Sequence, residues 1–286
     1  MSQAIPPQSQ PFPHLSTPVT TVNSDTHRVF NIGSYLLSIY GSFTLLFHHH
    51  SHNGGDFQND ETPFSSNIII VLTYWGLLYI LQLGYLYQFE TNLVNSLALN
   101  SHFVIFNIAH FIWTLFYKKS WYFLSEVVIL INLLNLLIVY FNHQTYKFKI
   151  TDGAWNWFFI HLPVSVFPLT WLLYAVFWNG AILFGIHEFI GRLISNILIW
   201  DFLIVPILFL ILFNDWAIGL TSAYLTFGIG LGQLFTKLFA LQWIFAFVIS
   251  GILFILSILI AVTGGLPPQQ APPSQILQGD QAPLLS

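Results

Sequence analysis

The chain has 286 residues, of which 55% are hydrophobic and 18% aromatic, while only 6% are Asp, Glu, Lys or Arg. A soluble domain carries roughly a quarter charged residues, so water is excluded as the solvent for most of this polypeptide. Seven basic and 11 acidic side chains give a formal charge of -4 and no basic footprint for nucleic acid, and the lack of cysteine excludes disulfides, thiolate metal sites and thiol nucleophiles.

Residues 1–27 form a polar tail in which Pro6, Pro7, Pro11, Pro13 and Pro18 block regular structure. The tail lacks a basic start, a short apolar core and a small-residue cleavage site, so no removable signal peptide is expected. Apolar runs of about 20 residues, the length a helix needs to cross a bilayer, then follow at 29–47, 67–89, 99–117, 121–141, 154–178 and 193–213. Polar loops run from His48 to Ser66 and from Asn142 to Gly153. Trp216 to Val262 is too long for one span at 1.5 Å per residue and predicts two helices turning near Lys237. Residues 263–286 form a second polar tail.

The predicted fold class is all-α: a polytopic transmembrane helical bundle of about eight spans over 28–262, with disordered tails at 1–27 and 263–286. Seven spans is the alternative. Long continuous runs argue against a barrel, whose strands alternate over about ten residues. Eight spans put both tails on one side. Arg28, Lys147 and Lys149 then face Lys118, Lys119, Arg192 and Lys237, which is no positive-inside bias. Asp56, Asp60 and Glu61 place the first loop outside or in a lumen, with cytoplasmic tails. Tyr87, Tyr117, Trp121, Tyr122, Tyr140, Trp155, Trp157, Trp178 and Trp216 lie near span ends, as expected of headgroup anchors.

Further residues carry a resemblance. They are Thr62-Pro63-Phe64-Ser65, Leu81-Gln82-Leu83-Gly84-Tyr85, Asn107 with His110, Trp121 with Glu126, Asn132 with Asn135, Tyr140 with His143, His161 with Pro163, Trp178 with Gly180, and Asn196. The most specific are Gly232-Gln233 and Phe235-Thr236-Lys237, running on to Ala240–Phe247. The pattern resembles DUF1774, a fungal family of multi-spanning membrane proteins of unknown function. The resemblance implies a fungal source and a polytopic fold from the first span to about Val262. Asp201 departs from it, standing where an uncharged residue is expected.

Four constellations could carry chemistry. His48, His49, His50 and His52, followed by carboxylates, offer imidazoles for zinc or copper; the plain alternative is a solvated loop. Within the spans, Asn107, His110, Asn132, Asn135, His161, Asp201 and Gln233 are candidate linings of a polar path. A charge at the bilayer centre costs roughly 2.5–3.5 kcal/mol, so such groups face the bundle interior. Ser125, Asn132 and His143 share one face of the fourth span. Interhelical bonding, at about 0.6–2 kcal/mol per bond, is the alternative for all of these. Glu126 is expected to reach water near the start of its span.

The third constellation is small-residue spacing, at Ser34, Ser38 and Ser42 and at Gly228 with Gly232, which lets helices approach closely. His161-x-Pro163 with Pro168, and Pro206, are expected to free backbone carbonyls. The fourth is Asp280-Gln281-Ala282-Pro283-Leu284-Leu285, which fits an acidic dileucine address read by a coat adaptor and favours an endomembrane: vacuole, endosome or endoplasmic reticulum. No phosphate loop, zincin helix or nucleophile elbow is present, so an enzyme is not expected. The leading functional expectation is a carrier or channel for a small solute or ion. The alternative is a non-transporting membrane scaffold or assembly partner whose polar residues only pack helices.

Overall fold

A computed structural model describes residues 24–51, 62–91, 93–185, 189–236 and 241–264. Both predicted tails lie mostly outside these residues. Among these described residues ten α-helices follow in chain order: α1 Ser24–Ser51, α2 Ile68–Thr91, α3 Leu93–Lys118, α4 Tyr122–Asn142, α5 Ile150–Asn156, α6 Phe167–Leu183, α7 Phe189–Leu198, α8 Asp201–Phe213, α9 Trp216–Thr236 and α10 Gln242–Thr263. A widened π-helical segment, Trp157–Val166, joins α5 to α6.

Among the described residues, eight stretches are long and apolar enough to cross a membrane. They are Thr26–Leu46, Ile68–Gln88, Leu99–Lys118, Tyr122–Asn142, Gly153–Leu183, Leu193–Phe213, Trp216–Leu234 and Gln242–Thr263. The eight-span expectation is met, and the seven-span alternative fails because Trp216 to Thr263 holds two helices. This is the make-up of an integral membrane protein.

The surface is apolar where lipid would lie. Val29, Ile69, Ile80, Leu134, Ile204, Leu212 and Ile255 all point outward. The interior is mixed: Asn31, Gln82, Asn107, His110, Asn132, His161 and Asp215 are buried among Tyr74, Leu78, Phe103, Ile129 and Leu169. In water this sorting would be unfavourable. In hydrocarbon, apolar side chains gain nothing by leaving the surface, and polar ones must find partners inside.

The fifth span is the hub. Of its most apolar window 83% is buried, and it is flanked by α2, α4 and α9. α1 packs on α3, α3 on α4, and α9 on α10, with α8 against both of the last. Pro163 lies in the π-helical segment, where it cannot donate a backbone hydrogen bond. The expected break at His161-x-Pro163 thus takes the form of a widened helix, a feature frequent at functional sites. α2 reaches this segment at Gly84, where an added Cβ would lie 2.0 Å from the Phe159 ring.

Two expectations from small residues resolve differently. Ser34, Ser38 and Ser42 face inward, and Ser38 and Ser42 both bond the Tyr79 hydroxyl on α2. Gly228 receives the first turn of α2, where Ile70 would stand 2.7 Å from an added Cβ, and both glycines do more than admit a helix. They also receive the strap before α2: a Cβ on Gly232 would lie 2.6 Å from the Ser65 carbonyl, and Asn67 N–H donates to the Gly228 carbonyl at 2.9 Å. The anchor reading also needs correction. Tyr87, Trp121 and Trp155 are exposed as anchors should be, but Tyr117, Tyr140 and Trp157 are buried in helix contacts.

Candidate functional site

The densest polar cluster lies toward the side of the bundle where α1 begins and α10 ends. α8 stops at Phe213, and Asn214 adopts a left-handed conformation with φ of 51°. That turn aims Asp215 back into the bundle, where it is 4% exposed. Its Oδ2 lies 3.1 Å from His161 Nε2 in the π-helical segment and accepts the Tyr140 hydroxyl at 2.8 Å. Lys149 holds the same turn from outside, its Nζ donating to the Phe213 carbonyl at 3.0 Å. One turn beyond His161, Thr145 donates to Ser165 at 2.9 Å. Trp157 stacks on Trp216 at 4.9 Å and closes the cluster.

The electrostatics follow from the packing. Burial pushes the Asp215 carboxyl up, but His161, the Tyr140 hydroxyl and Lys149 together outweigh it and leave it below the ordinary carboxylate range. A carboxylate stripped of water is tolerated only when paired and hydrogen-bonded in this way. His161 Nδ1 has no protein partner.

A second polar seam joins α3 to α4. Asn135 Oδ1 lies 2.7 Å from His102 Nδ1, and Asn135 Nδ2 donates to the His102 carbonyl. His143 Nε2 lies 3.1 Å from His102 Nε2. Asn132 Nδ2 donates to the Phe106 carbonyl at 3.3 Å, and Asn107 Nδ2 to the Phe103 carbonyl on its own helix. Deeper, His110 is 3% exposed, stacks on Trp75 at 4.1 Å and bonds Ser42 at 2.8 Å. Tyr79 extends that group toward Ser38 and Tyr35.

Toward the opposite side, Asn179 of α6 accepts from Ser125 at 2.8 Å and donates to Glu126 at 2.7 Å. Glu126 therefore does more than reach water; it ties α4 to α6. Gln233 Nε2 donates to the Thr62 carbonyl at 2.7 Å. Gln242 donates to Ser195 at 3.0 Å.

The seven path candidates thus do not line one chamber. Asn132 and Asn135 belong to the α3–α4 seam, His110 to the group around Tyr79, His161 to the Asp215 cluster, and Gln233 to the strap. Asp201 is half-buried at the start of α8, in a narrow cleft with Thr170, Tyr174, Pro206 and Ser222. His48, His49 and His50 continue α1, so the loop begins later than expected; His52 lies outside the described residues. Nothing in the described residues bears on metal held by that histidine run.

Asp215 and Tyr140 are the residues that sequence reasoning missed. The available signal was a single acid in a two-residue polar break, Asn214-Asp215, between long apolar runs. Such an acid has no room to reach water and needs a buried partner.

The comparisons bear on the C-terminal third. The model of DUF1774, described as a fungal protein of unknown function, matches residues 192–285. An uncharacterized protein of Schizosaccharomyces pombe is 44% identical over 94 residues, which is 33% of this chain and 33% of the relative. The matched stretch therefore spans about a third of that relative's length. No solved structure matches the chain. The matched region holds Asp201, Asp215 and Gln233, and with them the acid of the buried cluster and the clamp on the strap. Residues 192–285 are thus similar to the DUF1774 family, whereas the sequence resemblance was expected to run from the first span to about Val262.

Proposed function

We propose that the bundle is a carrier or channel for a small solute or ion, rather than an enzyme. The observation that supports this reading is a set of buried polar atoms without a protein partner. They are Asn107 Oδ1, Asn132 Oδ1, His161 Nδ1 and Gln233 Oε1, together with both ends of the Asn31 and Gln82 amides. Leaving such a group unmet costs about 1–3 kcal/mol, and lipid offers no partner. Water or a hydrated solute meets that need, and a bundle that admits either is part of the way to a conduit. Intramembrane polar groups of this kind mark transport pathways in other proteins.

The test is flux in reconstituted vesicles, with proton, potassium and small-polyol gradients as probes. The carrier reading expects at least one gradient to collapse faster than in protein-free vesicles, and His110→Ala to change that rate. If all three probes stay at the protein-free rate, the second reading takes over.

That second reading is a scaffold, and a specific observation favours it. Ser125, Asn132 and Asn135 each form a bond to a neighbouring helix. In the scaffold reading, Asn132→Leu lowers the melting temperature and leaves every flux untouched. An endomembrane address belongs with either reading and rests on Asp280 through Leu285, outside the described residues. Replacing Leu284 and Leu285 by alanine should then redirect the protein; unchanged localisation would exclude a coat adaptor as partner.

A further inference from the structure

We propose that His102 and His143 form an exchangeable divalent-metal site at the end of the α3–α4 seam, with zinc or copper as the ion class. The case begins with Asn135. Its Nδ2 donates to the His102 carbonyl, which fixes the amide so that Oδ1 faces the His102 ring. An amide oxygen accepts only, so His102 Nδ1 carries the proton. His102 Nε2 is then the lone-pair nitrogen, and it points at His143 Nε2. A ring nitrogen held by a second hydrogen bond, with the other left open, is the arrangement that metal-binding imidazoles show.

The spacing agrees. The two Nε2 atoms are 3.1 Å apart. Two nitrogens bound tetrahedrally to zinc at about 2.0–2.1 Å stand about 3.3 Å from each other. The ring centroids are 5.0 Å apart and the planes cross at 67°. A straight N–H···N bond between the rings would hold the centroids about 5.4 Å apart. The rings are therefore tilted off the line joining the nitrogens, and the separation is one that two imidazoles sharing an ion can adopt.

Both rings are half-buried, so an ion can enter and leave. Among the described residues no third His, Cys or carboxylate joins them. The remaining coordination positions therefore fall to water or to an incoming ligand, which makes the site exchangeable rather than a closed structural one. The inference is independent of the transport reading.

The experiment uses the full chain in detergent, with His48, His49, His50 and His52 replaced by Gln to remove loop binding. Zinc is titrated by calorimetry, and copper(II) is added for electron paramagnetic resonance. The site predicts one ion bound, and a copper spectrum split by two imidazole nitrogens. His102→Gln and His143→Gln should each lose that ion, while Asn135→Ala should weaken it about 10–100-fold and keep the two-nitrogen spectrum. Equal zinc binding by parent, His102→Gln and His143→Gln overturns the proposal. So does a parent that binds no ion, which would leave the two rings joined by a plain hydrogen bond. His143 lies just beyond the end of α4, so its variant serves if His102→Gln fails to fold.

Discussion

Gln233 donates its side-chain amide to the Thr62 carbonyl at 2.7 Å, across 171 positions of sequence. Beside it, Gly232 lets the Ser65 carbonyl approach to where a Cβ would lie 2.6 Å away. Thr62–Ser65 and Gly232-Gln233, far apart in sequence, therefore meet in space. A strap that would otherwise hang between α1 and α2 is clamped onto α9.

The clamp makes the first prediction. Gln233→Leu removes one bond to a buried carbonyl, about 0.5–1.5 kcal/mol. Gly232→Ala forces a methyl into backbone rather than into a yielding side chain, and overpacking of this kind costs about 1–3 kcal/mol. Both variants should melt earlier in detergent, with Gly232→Ala the worse. Both should also speed proteolysis between Ser51 and Ile68. An unchanged cleavage rate would mean the strap is held elsewhere, for instance by Tyr174, which donates to the Phe64 carbonyl at 3.0 Å.

The Asp215 cluster makes the second. Asp215→Asn leaves His161 and Tyr140 facing a weaker acceptor, and breaking a buried pair costs about 3–5 kcal/mol. Tyr140→Phe removes one bond to a charged group, about 1.5–3 kcal/mol. Because both act on one oxygen, the double variant should lose less than the sum of the two. Strict additivity in thermal melts would show that Tyr140 and Asp215 do not interact.

The same cluster sets a pH dependence. Asp215 titrates below the ordinary carboxylate range once folded. A carboxyl depressed by folding contributes stability that is complete above its unfolded value, about 3.9, and is lost as pH falls through the folded value. Between pH 7 and 5 this group should therefore leave the melting temperature flat. The gap between wild type and Asp215→Asn should hold constant there and narrow only below about pH 4. His143 works in the opposite window. Its imidazole is held below its ordinary value by burial and by His102, so the unfolded chain binds the proton first and stability falls as pH drops below about 6.5. His143→Gln should remove that loss.

Much of the fold was legible in the sequence because apolar run length is a direct measure of bilayer thickness. Length alone predicts the sixth run at 193–213, which is filled by α7 and α8 meeting at Ile199–Trp200, and two helices after Trp216, which are α9 and α10; the turn expected near Lys237 lies outside the described residues. Facing was less legible. Tyr140 and Trp155 are both aromatics near span ends, yet one is buried and the other exposed. Only the partner decides, and Asp215 lies 75 positions from Tyr140. Asp201 stands out in the sequence as a departure from the family pattern, at a position where an uncharged residue is expected. The acid that the bundle encloses is Asp215, which the left-handed turn at Asn214 brings inward.

The last prediction concerns the contact that seats α2 on the hub. Gly84 is not at a turn and has no unusual backbone; it is small because the Phe159 ring occupies the space a side chain would need. Gly84→Ala must push that ring aside or separate α2 from the π-helical segment, at about 1–3 kcal/mol. Phe159→Ala alone removes a half-buried ring and should cost less than the roughly 3–5 kcal/mol of a fully buried one. The pair should be less harmful than either cost added to the other, because the new methyl enters the space the ring has left. If Gly84→Ala melts with wild type, α2 does not approach the fifth span as closely as this packing requires, and the π-helical segment loses its nearest neighbour.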